Sequence, residues 1–146
     1  MKKIFFLLLI LTFQYSVLNS QKPPIYIAFH WHMHQPIYWP YESVVQTQQA
    51  NHWGFNVIDI FNQRSGPYTS WPKNAVQKGI DAGLANFGAQ VSFSGSLIEN
   101  LNNIEKEGWG FGSWKDSWNY IKSQKTSLGN PRLDMVAFGY FHPLMG

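Results

Sequence analysis

The segment from Ile25 to Pro36, IYIAFHWHMHQP, reads as a short apolar strand with three histidines on one face. Successive side chains of a strand point to opposite faces. Tyr26, Ala28, His30, His32 and His34 therefore share one face, and Ile25, Ile27, Phe29, Trp31 and Met33 share the other. The second set is a packing face. A row of imidazoles along a buried strand needs a polar cavity, a ligand or an ion beside it, because burying unpaired polar groups is costly. The strand is thus predicted to wall a ligand site. Pro36 removes a backbone donor and turns the chain out of the sheet where the imidazoles end.

The rest of the chain alternates helical and strand patterns. After a long stretch from Ile37 to Ser70, Ser70 and Pro72 predict a helix start. Val76, Ile80, Leu84 and Phe87 follow at helical spacing, and Gly88 ends the run. The Ile37–Ser70 stretch carries Pro40 and Gly66-Pro67 and reads as a loop, with 56–61 a short helical or extended piece. Loops of that length are usually functional or poorly ordered. Residues 89–94 alternate as a second strand. Ser96 starts a second helix that buries Leu97, Ile98, Leu101 and Ile104 and stops at Gly108. A third helix is predicted over 113–127, and 133–140 is a strongly apolar third strand. Strands separated by helices imply an α/β fold with a parallel sheet and right-handed crossovers. The first and third strands call for further neighbours, so a truncated, larger barrel-like domain is the expected context. A small complete α/β domain is the alternative.

Lys2-Lys3, the apolar run from Ile4 to Phe13 and the small Ser20 have the layout of a secretory signal peptide. The run is well short of the roughly 18 apolar residues of a membrane span. Residues 1–20 are therefore read as a leader and 21–146 as the mature domain, periplasmic or secreted, with no membrane partner once the leader is removed. The chain has no Cys, so its core must hold it without disulfides. Without the two leader lysines, nine basic residues face eight acidic ones. No basic stripe remains, and nucleic-acid binding loses its electrostatic footing. Seven Trp and seven Tyr in so sparsely charged a chain offer flat apolar faces with polar edges, which suit sugar rings.

His32 and His34 sit about 7 Å apart along one strand face, close enough to converge on two hydroxyls of one ligand or on one ion. A zinc site wants three or four ligands, and no Asp or Cys lies in the stretch to complete one. A metal-free sugar site, a metal site and core histidines satisfied by hydrogen bonds are the three readings. Gln35 carries donors and acceptors. With His34, Tyr38, Trp39 and Tyr41 it falls at the carboxyl end of the strand, where parallel α/β folds gather ligands.

HWHMHQP at His30–Pro36 resembles the first conserved region of glycoside hydrolase family 57, marked by His-Gln-Pro after a short strand. FSGSLIENL at Phe93–Leu101 is similar to the family's second strand and following helix, and LDMVAFGYFHP at Leu133–Pro143 to its next strand. The family includes α-amylases, amylopullulanases, branching enzymes and 4-α-glucanotransferases. The resemblance implies the first three β/α units of an incomplete seven-stranded (β/α) barrel, and a retaining glycosidase or transglycosylase acting on α-glucans without a cofactor. His32 and His34 match histidines lining the sugar subsite beside the cleaved bond. Asp134 falls where many members carry Glu. With Gln35 holding hydroxyls and Trp39 stacking on a sugar face, these five make the implied substrate-binding set.

Retaining hydrolysis needs a nucleophilic carboxylate and an acid about 5 to 5.5 Å apart. The family draws both from later strands, and none of the eight acids here matches either position. Glu99, Glu105 and Glu107 read as solvated, and Glu42, Asp59, Asp81 and Asp116 as lacking a partner. No residue of this chain is assigned as catalytic or as a metal ligand. Two other functions fit less of the pattern: a non-catalytic sugar-binding remnant, and a zinc-dependent deacetylase- or mannosidase-like barrel.

Overall fold

Strand structure extends only as far as a neighbouring strand pairs with it. β1 (His30–Met33), β2 (Ala89–Phe93) and β3 (Leu133–Met135) form a parallel sheet in the order β1-β2-β3. The structure, a computed structural model, describes residues 26–136 and 138–141. The predicted leader, Ile25 and the segment from His142 onward lie outside them. β1 is much shorter than the predicted strand. The ladder reaches back only to Phe29, whose carbonyl accepts the Gln90 amide. Upstream, Tyr26 and Ile27 are 88% and 74% exposed rather than packed. β3 is also shorter than the predicted 133–140. Val136 N–H still bonds the Val91 carbonyl, but β2 ends at Phe93, where Ser94 turns the chain into a helix.

The stretch predicted as one long loop holds three helices, α1 (Val44–Ala50), α2 (Val57–Gln63) and α3 (Ser65–Tyr68). α1 starts on a capping box: Ser43 Oγ accepts the Gln46 amide and Gln46 Oε1 accepts the Ser43 amide. Asn56 caps α2 by accepting the Ile58 amide. Helices this short are held by packing rather than propensity, and Val44, Val45, Val57, Ile58 and Phe61 are buried. α4 (Trp71–Asp81) begins near the predicted start, although the Ser70 side chain makes no capping bond. It ends seven residues before Gly88, because Gly83 turns into the left-handed region at φ +73°. Leu84 and Phe87 thus lie in a turn. α5 (Gly95–Lys106) is capped by Ser94, not Ser96, through the Leu97 amide. α6 (Asp116–Ser123) is shorter than predicted, since Gln124 is extended and Lys125 bridges to Pro131.

Odd-numbered strand residues Met33, Ala89, Val91, Phe93 and Leu133 form a core with Phe61, Val76, Leu97, Leu101, Ile104, Trp118 and Ile121. Fully burying an aliphatic side chain such as Leu101 contributes about 2 kcal/mol. The even-numbered face is polar. His30, Gln90 and Asp134 share one register row, and His32 and Ser92 the next.

At the amino end of the sheet, Arg132 is 8% exposed and its guanidinium donates to four carbonyls, those of Lys125, Leu84, Phe87 and Ala85, at 2.8 to 3.2 Å. It ties the turn after α4 to the entry of β3. Gly88 allows that approach, since a Cβ there would stand 2.8 Å from the Arg132 carbonyl oxygen. Among the described residues, no helix is long and apolar enough to cross a membrane.

Candidate functional site

Two serines of β2 and its helix cap brace the three imidazoles of the first strand. His30 Nε2 and His32 Nδ1 both contact Ser92 Oγ, at 3.1 and 2.8 Å. His34 Nδ1 contacts Ser94 Oγ at 2.9 Å. The His32 and His34 rings lie nearly parallel, 6.3 Å apart and inclined by 16°. Phe138 meets His32 edge-on at 4.7 Å. The predicted sidedness of the strand is seen, but the imidazole face is not buried: His30 and His32 are exposed and His34 is half-buried. Parallel imidazoles beside an aromatic ring make a wall that can hydrogen-bond hydroxyls and pack against C–H surfaces.

The turn that follows is pinned by side chains bound to three successive carbonyls. Tyr68 Oη approaches the His34 carbonyl at 3.5 Å, Ser96 Oγ donates to that of Gln35 at 2.6 Å, and Asn100 Nδ2 to that of Pro36 at 2.8 Å. Gln35, predicted to hold a ligand hydroxyl, has its side chain in a buried network. It is 6% exposed, donates from Nε2 to Tyr68 Oη at 2.8 Å and accepts at Oε1 from Tyr38 Oη at 2.6 Å. Burial, chiefly, pushes the Tyr38 hydroxyl up to about 12, with Tyr68 adding and Arg64 opposing. Tyr38 therefore stays a donor.

Two further predicted residues stand apart from the imidazole pair. Trp39 is 39% exposed and stacks on His52 at 4.0 Å and 12°, so one of its faces is already covered. His52 is in turn held by Glu42 at 3.0 Å, which gives Glu42 the partner that the sequence reading lacked. Asp134 lies in the row of His30 and Gln90, toward the amino end of the sheet. It is two pleat repeats removed from His34 and is not part of the same cluster. Glu99, expected to be solvated, accepts from Tyr140 Oη at 2.6 Å, a bond that raises the Tyr140 hydroxyl above its ordinary value.

The residues that sequence reasoning passed over are Ser92, Ser94, Ser96, Tyr68 and Asn100. The first two have a signal: alternation through VSFS puts their hydroxyls on the face opposite Val91 and Phe93, while Ser96 already lies in α5. The last two reach the site from helices whose pairing with β1 no local pattern specifies. Among the described residues, no group of three His, Asp or Glu stands together as a metal site.

No protein-family model matches the chain, and no solved structure matches it. Over 91 residues, however, it is 31% identical to an alpha-amylase of Niallia circulans. That match covers 57% of this chain and 7% of the relative, so the chain spans a small part of the protein that it resembles.

Proposed function

We propose that this chain is the amino-terminal part of an exported glycoside hydrolase or transglycosylase related to family 57, acting on α-glucans, and that it supplies sugar-holding imidazoles. The observation that carries the reading is the pair of near-parallel rings of His32 and His34, 6.3 Å apart on the polar face of a parallel sheet and each bonded to a serine. Two further observations support it. The matched relative is an alpha-amylase. The strands follow one another in sequence order with the core on one side of the sheet, the winding expected of a (β/α) barrel whose other face points inward. In this reading His32 and His34 bind hydroxyls of one sugar unit, Gln35 shapes the turn that presents His34, and the carboxylate pair comes from strands elsewhere in the enzyme.

The test is titration of the full chain with maltoheptaose, against a β-linked oligosaccharide of similar length, followed by calorimetry or tryptophan fluorescence. Saturable binding of the α-linked sugar, weakened about tenfold in His34→Ala, is expected from the loss of a hydrogen bond of roughly 1.5 kcal/mol. Absence of binding, or binding indifferent to both His32→Ala and His34→Ala, refutes the reading.

A further inference from the structure

The hydrogen bonds around Ser94 fix the position of a proton that decides what His34 can do. A serine hydroxyl has one hydrogen and two lone pairs. Ser96 Oγ lies 2.6 Å from the Gln35 carbonyl, which only accepts, so the Ser96 hydrogen is committed there. Ser96 and Ser94 hydroxyls are 3.1 Å apart, and the hydrogen between them must therefore come from Ser94. The Leu97 amide already donates to Ser94 Oγ at 3.2 Å. With its own hydrogen used on Ser96 and one lone pair on Leu97, Ser94 meets His34 Nδ1 at 2.9 Å with a lone pair. The hydrogen of that contact belongs to Nδ1. The arrangement satisfies all four contacts, three of them running in one direction from His34 through Ser94 and Ser96 to the Gln35 carbonyl. In the opposite arrangement, with Ser94 donating to Nδ1, two hydroxyl oxygens would face each other with no hydrogen between them, at the loss of one hydrogen bond.

We infer that Ser96, acting through Ser94, is a positioning residue that keeps the proton of neutral His34 on Nδ1 and so makes Nε2 its basic, proton-accepting atom. Nδ1 holds its hydrogen in both charge states of the ring, and Nε2 is the atom that titrates. Resting on the sugar-binding reading above, the consequence is that any hydrogen bond between Nε2 of neutral His34 and a sugar hydroxyl has the hydroxyl as its donor. His32 is not fixed in this way. Ser92 contacts two imidazoles and its single hydrogen can serve only one of them, so at least one of His30 and His32 donates to it.

The test is long-range proton–nitrogen NMR on the full chain labelled with 15N-histidine, at a pH where His34 is neutral. His34 is identified as the signal lost in His34→Asn. Nδ1 is expected to be the protonated nitrogen and Nε2 the unprotonated one, by roughly three- to tenfold in population, the value of one hydrogen bond. Ser96→Ala removes no atom bonded to His34 and leaves the Leu97 amide on Ser94 Oγ, yet it releases the Ser94 hydrogen toward Nδ1 and should abolish that preference. Ser94→Thr keeps hydroxyl and cap and should retain it. Ser94→Gly, tolerated at a helix cap, should lose it and serves if Ser96→Ala does not fold. A wild-type ring protonated on Nε2 overturns the inference, as does a preference unchanged in the Ser96 and Ser94→Gly variants. The readout needs no sugar, so a chain with this tautomer and no α-glucan binding would sink the functional proposal and leave the proton assignment standing.

Discussion

Replacing Arg132 by Met should remove a large part of the stability of the sheet's amino end while leaving the imidazole face intact. The side chain is 8% exposed, and its guanidinium serves four carbonyls. Hydrogen bonds from a charged donor contribute about 1.5 to 3 kcal/mol each. Four at the low end would give about 6 kcal/mol, but taking the cation out of water offsets part of this, which leaves about 3 kcal/mol. Met keeps the packing of the stem and removes the bonds. In urea unfolding followed by the fluorescence of Trp114 and Trp118, that loss lowers the midpoint by about 2 M for a slope near 1.5 kcal/mol/M. Amide exchange should quicken in the turn after α4, whose carbonyls are released. Lys offers three donors on a point charge and cannot span the same four acceptors, so Arg132→Lys should fall roughly midway. A Met variant within about 0.5 kcal/mol of the parent, or a Lys variant equal to it, would show that water satisfies these carbonyls and that the fork contributes little.

Two other expectations follow from named contacts. The Tyr38 hydroxyl, pushed up to about 12 in the fold, ionises near 10 when unfolded; its contribution is complete below pH 10 and is lost as pH rises through about 12. Denaturation midpoints should therefore decline over that window, less steeply in Tyr38→Phe, and equal slopes would contradict the assignment. At Gly95 a Cβ would stand 2.1 Å from the Tyr140 ring, so Gly95→Ala must displace that ring and break its bond to Glu99. The Tyr140 hydroxyl should then titrate lower, back toward 10, and an unchanged titration would mean that the ring had found room.

Alternation and helical spacing exposed the order of the strands and the longer helices and the two faces of the first strand, because those signals are local. What they missed depended on partners distant in sequence. The length of β1 is decided by where β2 begins, sixty residues on, and Tyr26 and Ile27 look like strand residues until that neighbour is known. α1 was hidden, and α2 was left open between helical and extended, for a different reason: seven residues give too few turns for a stripe, although Ser43 and Gln46 carried a legible capping box. In the site, the residue types of His32 and His34 were informative in themselves. Gln35 was ambiguous, because an amide serves a buried network as readily as a ligand, and its bonds to Tyr38 and Tyr68 come from residues that no local pattern ties to it. Arg132 gave no sequence signal, since carbonyl acceptors carry no residue identity.

The strand order β1-β2-β3 has a consequence for how the protein is made. Each strand pairs with the one synthesised before it, after gaps of 60 and 44 residues between register partners. Whichever compartment it folds in, a chain that emerges from its amino end leaves β1 without a strand neighbour until about sixty further residues have followed. During that interval the nascent strand would present the apolar side of Trp31 and Met33 to solvent, while its imidazole side is already at ease in water. α1 and α2 emerge within that gap, with Val44, Val45, Val57 and Phe61 ready to shelter the apolar side. The short helices between β1 and β2 can thus act first as a temporary cover for a strand awaiting its partner, and the sheet can grow from its amino-terminal strand onward without rearrangement.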